Sequence, residues 1–373
     1  MAGIYIHIPF CKQACHYCDF HFSTSIKYKD DVLQALVKEI ALQKKYLNGE
    51  TIETIYFGGG TPSLLSANEI NLITETITNL HSVTGNAEIT LEANPDDLDK
   101  EKLHSLRHTD INRLSIGIQS FFDEDLQWMN RAHHSNEAEI SVKAAQDAGF
   151  ENLTIDLIYG YPLLNDQKWR HNISSAFELA VPHISAYSMT VEPKTALASF
   201  IKKKKQPAPD DQQSAEQFIS LMSAMQEHGF EHYEISNFCK PGHYSRHNSS
   251  YWKGVKYLGI GPSAHSYNGE TRRWNIANNA KYIHALENGE ISFEMEQLTE
   301  NDRLNEYIMT SLRTMWGLDL ETLNSIAPAS ADKLLATAKC FFDNGWLYQK
   351  DKVVYLSKTG KLYADNIASD LFF

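Results

Sequence analysis

Cysteine is scarce in this chain of 373 residues, which has five, three of them clustered as Cys11, Cys15 and Cys18. Such a set does not form the disulfide framework of a small secreted protein. Long apolar runs are also missing, since none approaches the ~20 residues that span a bilayer. The N-terminal sequence MAGIYIHIPF predicts a strand and contains no signal-peptide core. We therefore expect a reduced, cytoplasmic protein that reaches membranes only through a partner.

Basic residues are in deficit, with 34 Lys and Arg against 47 Asp and Glu, a formal net charge of −13. This balance argues against a nucleic-acid-binding surface, so we expect no nucleic-acid partner. The one lysine run, in FIKKKKQPAPDDQQS, predicts an exposed loop, with a phosphate or membrane contact as the alternative.

Short β-rich runs alternate with helical patterns through the first half of the chain, which predicts an α/β fold with a parallel sheet. The predicted strands are GIYIHI, TIETIYF, AEITLEA, NRLSIGI, NLTIDLIYG and HISAYSMTV. The predicted helices are Lys29–Tyr46, Ser66–Leu80, Ser135–Ala148 and Asp166–Ala180. Six β-α units are too few for a closed eight-fold barrel, so we predict a partial (β/α)6 barrel of the TIM type.

Three domains are predicted: a core at 1–235, a connecting segment at 236–289 and a C-terminal domain at 290–373. The stretch Phe230–Asn275 is predicted to be irregular. The last part shows helices at Glu300–Met315 and Ala331–Asn344 followed by two short strands, which predicts a winged-helix-like module. Its acidic start favours a packing or partner-binding role over DNA.

Polar or glycine residues stand at the ends of successive predicted strands. They are Cys11, the run Gly58-Gly59-Gly60-Thr61, Glu92, Gln119 and Asp156. In β/α barrels the carboxyl ends of the strands meet on one face, so these residues are expected to converge on one site.

The three cysteines, in C-x3-C-x2-C spacing, are soft ligands without a fourth cysteine nearby. One interpretation is a structural or zinc site, with a fourth ligand from His7, His16 or His21. The other is a [4Fe–4S] cluster that leaves one iron open to a cofactor or substrate. The cluster is favoured because a structural zinc site would leave the polar residues at the other strand ends without a role.

With the aromatic Tyr17 before the last cysteine, this motif on a β/α scaffold resembles the radical S-adenosylmethionine family. The resemblance implies that the open iron binds the methionine end of S-adenosylmethionine, which the reduced cluster cleaves to a 5′-deoxyadenosyl radical. It also implies the cofactor contacts, which are Tyr5, Tyr17, Gly60, Thr61, Glu92, Gln119, Arg131 and Asp156. Beyond these we assign no catalytic residue.

The order YIHIPFC, GGGTP, LEANPD, IGIQS, NRAH and DLIYGYP is similar to the coproporphyrinogen dehydrogenase-like branch of that family. The dehydrogenases themselves carry one more cysteine, where this chain has Phe20, and a longer N-terminal segment. Both departures argue against radical decarboxylation of coproporphyrinogen III, which stays as the alternative function. A radical enzyme acting on RNA is disfavoured by the acidic balance.

The chain is instead similar to the haem chaperones of that branch, whose H-N-x-x-Y-W motif stands here as HNSSYW, residues 247–252. This resemblance implies haem contacts at His247, Tyr251 and Trp252, and delivery of haem to acceptors such as respiratory membrane proteins. A homodimer is plausible. The rival iron ligands are His243, His265 and Cys239, whereas Cys340 is expected to lie in the core.

Overall fold

The structure is a computed structural model that describes residues 1–373. Its strands are β1 (Ala2–Ile8), β2 (Ile52–Gly59), β3 (Val83–Ala93), β4 (Arg113–Gln119), β5 (Asn152–Tyr159), β6 (His183–Ser188), β7 (Glu231–Glu234), β8 (Asn237–Cys239), β9 (Lys256–Ile260), β10 (His265–Tyr267), β11 (Thr271–Asn275), β12 (Phe293–Gln297), β13 (Leu318–Asp319), β14 (Leu347–Lys350) and β15 (Val353–Leu356). Its helices are α1 (Lys29–Leu42), α2 (Ala67–Leu80), α3 (Lys100–Leu106), α4 (Asp123–Met129), α5 (Ser135–Asp147), α6 (Asp166–Glu178), α7 (Ala196–Lys202), α8 (Asp211–Glu227), α9 (Arg246–Trp252), α10 (Asn279–Glu287), α11 (Glu300–Leu312), α12 (Leu320–Ile326), α13 (Ser330–Thr337), α14 (Lys339–Asp343) and α15 (Ala364–Asp370).

Strands β1 to β6 lie side by side in chain order and pair in parallel. Helices connect them because a parallel pair needs a crossover, and the apolar faces of strands and helices form one large core. The predicted α/β fold and partial (β/α)6 barrel are confirmed. All six carboxyl ends therefore open on the same side of the sheet.

Two local signals begin and end helices where the sequence predicts. Ser66 and Glu69 form the capping box of α2, with the Ser66 hydroxyl accepting the Glu69 amide at 3.3 Å. Gly149 follows α5 with φ +86°, a conformation that favours glycine because it has no Cβ.

The predicted irregular stretch Phe230–Asn275 is wrong, because it contains five strands and helix α9. Strand β9 pairs in parallel with β1, so this stretch widens the barrel wall beyond the six units. The sequence hides these strands because they are short and pair with distant partners.

The lysine-rich stretch is largely the exposed loop that the sequence predicts, since residues 203–210 form no helix or strand, although α7 extends into it as far as Lys202 and α8 begins at Asp211. One smaller prediction is corrected. Cys340 lies on the exposed side of α14 rather than in the core, since only Phe341 of that helix is buried.

The last part of the chain has its own core of 18 buried residues and a small sheet ordered β13-β15-β14. Helices α11 to α14 precede the β14–β15 hairpin, an order that matches the predicted helical, winged-helix-like module. Arg313 joins this part to the barrel through the buried carboxylate of Glu234, 3.1 Å away. No helix is long and apolar enough to cross a membrane.

A buried carboxylate ties the added strands to the barrel. Glu39 of α1 accepts hydrogen bonds from the Gly261 amide at 2.8 Å, the Asn275 side chain at 2.7 Å and the Tyr282 hydroxyl at 2.6 Å. Burial raises the pKa of Glu39, although these three donors oppose the shift. The turn before β10 is thus held by a fully enclosed acid.

Replacing Glu39 with alanine is expected to cost about 3 kcal/mol of stability, because it leaves several buried donors unpaired. The measurement is the thermal unfolding midpoint against Glu139→Ala, whose carboxylate is exposed on α5. Equal midpoints for the two variants would show that the network does not stabilise the fold.

Candidate functional site

A cavity of about 460 Å³ opens at the carboxyl ends of the parallel strands. Cys11, Cys15 and Cys18 line it. Of the eight predicted cofactor contacts, all but Tyr5 line the same cavity, namely Tyr17, Gly60, Thr61, Glu92, Gln119, Arg131 and Asp156. The structure thus brings together residues that lie up to 145 positions apart in the chain.

The cysteine loop is held by backbone contacts rather than by its thiols. The Cys11 amide donates to the Ser23 carbonyl at 3.0 Å, and the His16 amide donates to the Met129 carbonyl at 3.0 Å. Burial, reinforced by the two neighbouring thiols, raises the pKa of Cys18 to about 12. Three crowded thiols suit a metal group that stabilises their anionic form.

A zinc ion completed by a nearby histidine does not fit this arrangement. The imidazoles of His7, His16 and His21 bond the His21 carbonyl, the Trp128 carbonyl and the Asn279 side chain, respectively, and none of the three lines the cavity. No three His, Cys, Asp or Glu side chains converge tightly enough to hold one metal ion. A cluster fits better, because each thiolate binds its own iron and the ligands stay further apart.

The end of strand β2 passes close to the cysteine loop. The Gly60 amide donates to the Ile8 carbonyl at 2.9 Å and the Thr61 amide to the Phe10 carbonyl at 2.7 Å. A Cβ at Gly60 would lie 2.6 Å from the Phe10 carbonyl oxygen, so only glycine fits here. The amides are used, which leaves the Gly60 carbonyl as the group that can accept a hydrogen bond from a ligand.

Glu92 is the buried acid of the cavity. Its carboxylate accepts the Tyr56 hydroxyl at 2.8 Å and the Gly59 amide at 3.2 Å. Burial raises the pKa of Glu92 to about 7, helped by the charge of Asp156 and opposed by these two hydrogen bonds. A cationic ligand that donates hydrogen bonds would stabilise the carboxylate.

Arg131 is the cation of the cavity. Its guanidinium donates to Cys15 Sγ at 3.5 Å, to the Asn94 side chain at 2.7 Å and to the Gly117 carbonyl at 2.9 Å. Its Nε–H is buried without a partner in the protein. An unpaired buried donor beside the thiols fits a carboxylate on a bound ligand.

The far side of the cavity is formed by β4 and β5. Burial raises the pKa of Asp156 to about 6, and hydrogen bonds from Ser185 and Ser115 oppose the shift. Gln119 takes a left-handed backbone conformation, φ +66°, at the end of β4. The side chains of Asp156 and Gln119 can both accept hydrogen bonds, which suits the hydroxyl groups of a ligand, as the sequence predicts.

Four predicted contacts lie outside the cavity. Tyr5 does not line it, and the Tyr5 hydroxyl lies 3.3 Å from His7 Nδ1. His247 is only 2% exposed, with Nδ1 2.8 Å from the Thr54 hydroxyl and Nε2 2.9 Å from the Tyr251 hydroxyl. Trp252, at the end of α9, packs under the guanidinium of Arg313.

Sequence reasoning missed three residues that shape the cavity, namely Tyr56, Asn94 and Gly117. Asn94 lies two positions after Glu92 and holds Arg131, a signal that LEANPD contains. A Cβ at Gly117 would lie 2.8 Å from the side-chain nitrogen Nε2 of Gln119, so this glycine leaves space for the Gln119 side chain. Tyr56 has no sequence signal, because only the parallel register of β2 and β3 places it beside Glu92.

The mouth of the cavity is apolar where the interior is polar. Phe20 is 66% exposed and Tyr187 is 42% exposed, and both line the cavity. Large aromatic side chains exposed at a cavity mouth are typical of a surface that meets a ligand or partner.

Comparisons with known proteins match this arrangement. The profile of the Radical SAM superfamily matches residues 5–175, and that of the HemN C-terminal domain matches residues 298–363. Coproporphyrinogen III oxidase (HemN) from Escherichia coli, a radical SAM enzyme, superposes with a TM-score of 0.86 at 23% identity, over 100% of this chain and 90% of that chain. At this identity the likeness shows the fold alone.

Curated relatives are closer in sequence. The heme chaperone HemW of Bacillus subtilis (strain 168) is 34% identical over 98% of this chain and 98% of the relative. The proteins of the same name from Mycobacterium tuberculosis (strain H37Rv) and Escherichia coli (strain K12) are 33% and 35% identical, over 99% and 70% of this chain and 94% and 69% of the relatives. With such identity across both full chains, the protein belongs to the HemW family and carries a radical SAM domain.

Proposed function

We propose that the protein is a haem chaperone that holds a [4Fe–4S] cluster and S-adenosylmethionine and passes haem to acceptor proteins. The observation that carries the proposal is the cavity itself: the three cysteines, Gly60, Glu92 and Arg131 all line one space, and the Nε–H of Arg131 is buried without a protein partner. Membership of the HemW family supports the haem part.

Different residues of the cavity would contact different parts of the cofactor. Cys11, Cys15 and Cys18 would hold the cluster, which when bound supplies an open iron for the amino-acid end of S-adenosylmethionine. Glu92 and the Gly60 carbonyl would accept hydrogen bonds from the amino group, and Arg131 would pair with the carboxylate. Asp156 and Gln119 would bond the ribose or adenine side, and Thr61 and Tyr17 would close the walls.

Phe20 separates the chaperone from the enzyme alternative. The position that carries a further cysteine in the dehydrogenases is here an exposed aromatic ring at the cavity mouth. We propose that S-adenosylmethionine serves dimerisation or haem release. The three reduced thiols favour the cytoplasm as the place of action, with respiratory membrane proteins among the acceptors.

The proposed haem contacts of the HNSSYW motif require movement of α9. Both ring nitrogens of His247 are already bonded inside the barrel, and the Arg246 and His247 amides donate to Glu88 at 3.1 and 3.0 Å. An iron ligand at His247 would break these contacts. Tyr251 and Trp252 would move with it.

The test of the proposed function combines haem binding with turnover. Anaerobically reconstituted protein is expected to bind haemin with a shifted Soret band, and to form no protoporphyrinogen from coproporphyrinogen, S-adenosylmethionine and a reductant. Product formation would establish the decarboxylase alternative, and absence of haemin binding would refute the chaperone. His247→Ala weakens the band only if His247 is the iron ligand.

A further inference from the structure

A strained turn links β9 and β10. Gly261 has φ +109° and Ser263, which is not glycine, has φ +67°. A non-glycine residue adopts this conformation at an energetic cost and keeps it only where the surroundings impose it. The turn is also crowded, since a Cβ at Gly259 would lie 2.0 Å from the His265 carbonyl oxygen.

The buried network of Glu39 holds this turn from below. The Gly261 amide donates to Glu39, and the Asn275 side chain donates both to Glu39 at 2.7 Å and to the Gly261 carbonyl at 2.9 Å. The position of the turn is therefore fixed by hydrogen bonds that no solvent reaches. Such rigid support is typical of a binding residue whose position must be exact to a fraction of an ångström.

The turn presents the imidazole of His265. This side chain is exposed, and neither of its ring nitrogens makes a hydrogen bond to the protein. The ring lies against the indole of Trp274, its register partner on β11, with centroids 5.9 Å apart and planes 27° apart. Trp274 is held in turn by the Glu294 carboxylate, 3.2 Å from its Nε1. Trp274 thus orients the His265 ring, while the ring makes no hydrogen bond that stabilises the fold.

The chemistry of a ligand for this histidine is limited by what surrounds it. No second and third metal ligand converge with it, so it cannot hold a bare metal ion. Haem brings four equatorial nitrogens of its own and needs only one axial imidazole from the protein. Desolvation of the part of the ring that packs on the protein and the charge of Arg272 lower the pKa of His265, and the Glu296 carboxylate opposes the shift, so the direction favours the neutral imidazole that binds iron.

The two rival histidines, His243 and His247, meet fewer of these conditions. His247 is buried with both nitrogens bonded. His243 is exposed but lies in the turn after Lys240, with no aromatic ring stacked on it. Of these three histidines, only His265 combines exposure, a free nitrogen, an aromatic support and a rigid turn.

We infer that His265 is the axial iron ligand for haem, with the edge of Trp274 beside the macrocycle; the inference rests on the proposed haem-chaperone function. The turn before His265 packs on the end of β1, since a Cβ at Gly261 would lie 2.6 Å from the His7 carbonyl oxygen, and the His7 imidazole bonds the carbonyl of His21 at 2.8 Å, three residues after Cys18.

Haemin titration of the reconstituted full chain tests the inference, read as difference spectra against haem-free protein. His265→Ala is expected to change the Soret position and to weaken haemin affinity at least about tenfold. Trp274→Ala is expected to weaken affinity while keeping the Soret position, because the iron ligand remains. The matched control is His284→Ala, an exposed histidine on α10, which should behave as the wild type.

The outcomes are separable. A His265→Ala variant with the wild-type Soret position and affinity would overturn the inference. Added imidazole should restore the Soret position and the haemin affinity of His265→Gly, and failure to restore either would also overturn the inference. Wild-type protein that binds no haemin would instead refute the proposed function. S-adenosylmethionine affinity, expected to be unchanged in His265→Ala, reports that the variant is folded.

Discussion

Cys15→Ala is expected to abolish the iron–sulfur cluster, with iron falling from about four atoms per chain to well under one after anaerobic reconstitution. Two thiolates cannot hold a cluster that already lacks a fourth protein ligand. The loss also removes the sulfur that Arg131 Nη1 contacts at 3.5 Å, so the buried guanidinium loses a partner. Iron and acid-labile sulfide content are the measurements.

Cys340→Ala is the matched control, because this exposed thiol of α14 lies in the C-terminal domain. It should retain full iron and sulfide. Wild-type iron content in Cys15→Ala would show that the three-cysteine site is not the cluster site. Stoichiometric zinc in the wild-type protein would revive the zinc interpretation.

Glu92→Gln is expected to weaken S-adenosylmethionine binding about 10- to 100-fold at pH 8, the size of a hydrogen bond to a charged group. The amide keeps an oxygen for the Tyr56 hydroxyl but cannot carry the charge that a cationic ligand favours. Equilibrium dialysis of the reconstituted protein measures the affinity.

The pH dependence sharpens this prediction. In the free protein the pKa of Glu92 is about 7, so the carboxyl is largely protonated at pH 6 and ionised at pH 8. Because the ligand favours the carboxylate, wild-type affinity should rise with pH across this range. In Glu92→Gln the rise near pH 7 should vanish and leave a smaller one from Asp156, whose pKa is about 6.

Glu192→Gln is the control, since it removes a carboxylate at the rim of the same cavity while Glu92 stays intact. It should keep the rise near pH 7. A Glu92→Gln variant with the same pH profile as the wild type would mean that another group titrates.

Much of the barrel follows from local sequence signals. Alternating strand and helix patterns predict β1 to β6 in chain order, and the Ser66–Glu69 capping box and Gly149 mark helix ends. These signals work because capping and left-handed glycine depend on a few neighbouring residues. The strand-end rule then predicts the cavity, since parallel strands in sequence order must open on one side.

The remainder depends on contacts between distant parts of the chain. Strand β9 is short, and its pairing with β1 joins residues about 250 positions apart, which no local pattern reveals. The same pairing builds the turn that Glu39 holds and His265 follows. Tyr56 reaches Glu92 for the same reason, through the register of two strands.

The histidines show most clearly the difference between what local sequence predicts and what depends on tertiary contacts. The sequence identifies the HNSSYW motif and its His247, because a motif is a property of adjacent residues. Whether an imidazole faces solvent or the barrel interior depends on packing, and α9 turns His247 inward against Thr54 and Tyr56. The sequence by itself determined the cysteine site, the barrel and the family; only the tertiary structure decided which histidine is free to bind, because exposure and hydrogen-bond partners arise when distant strands and helices meet.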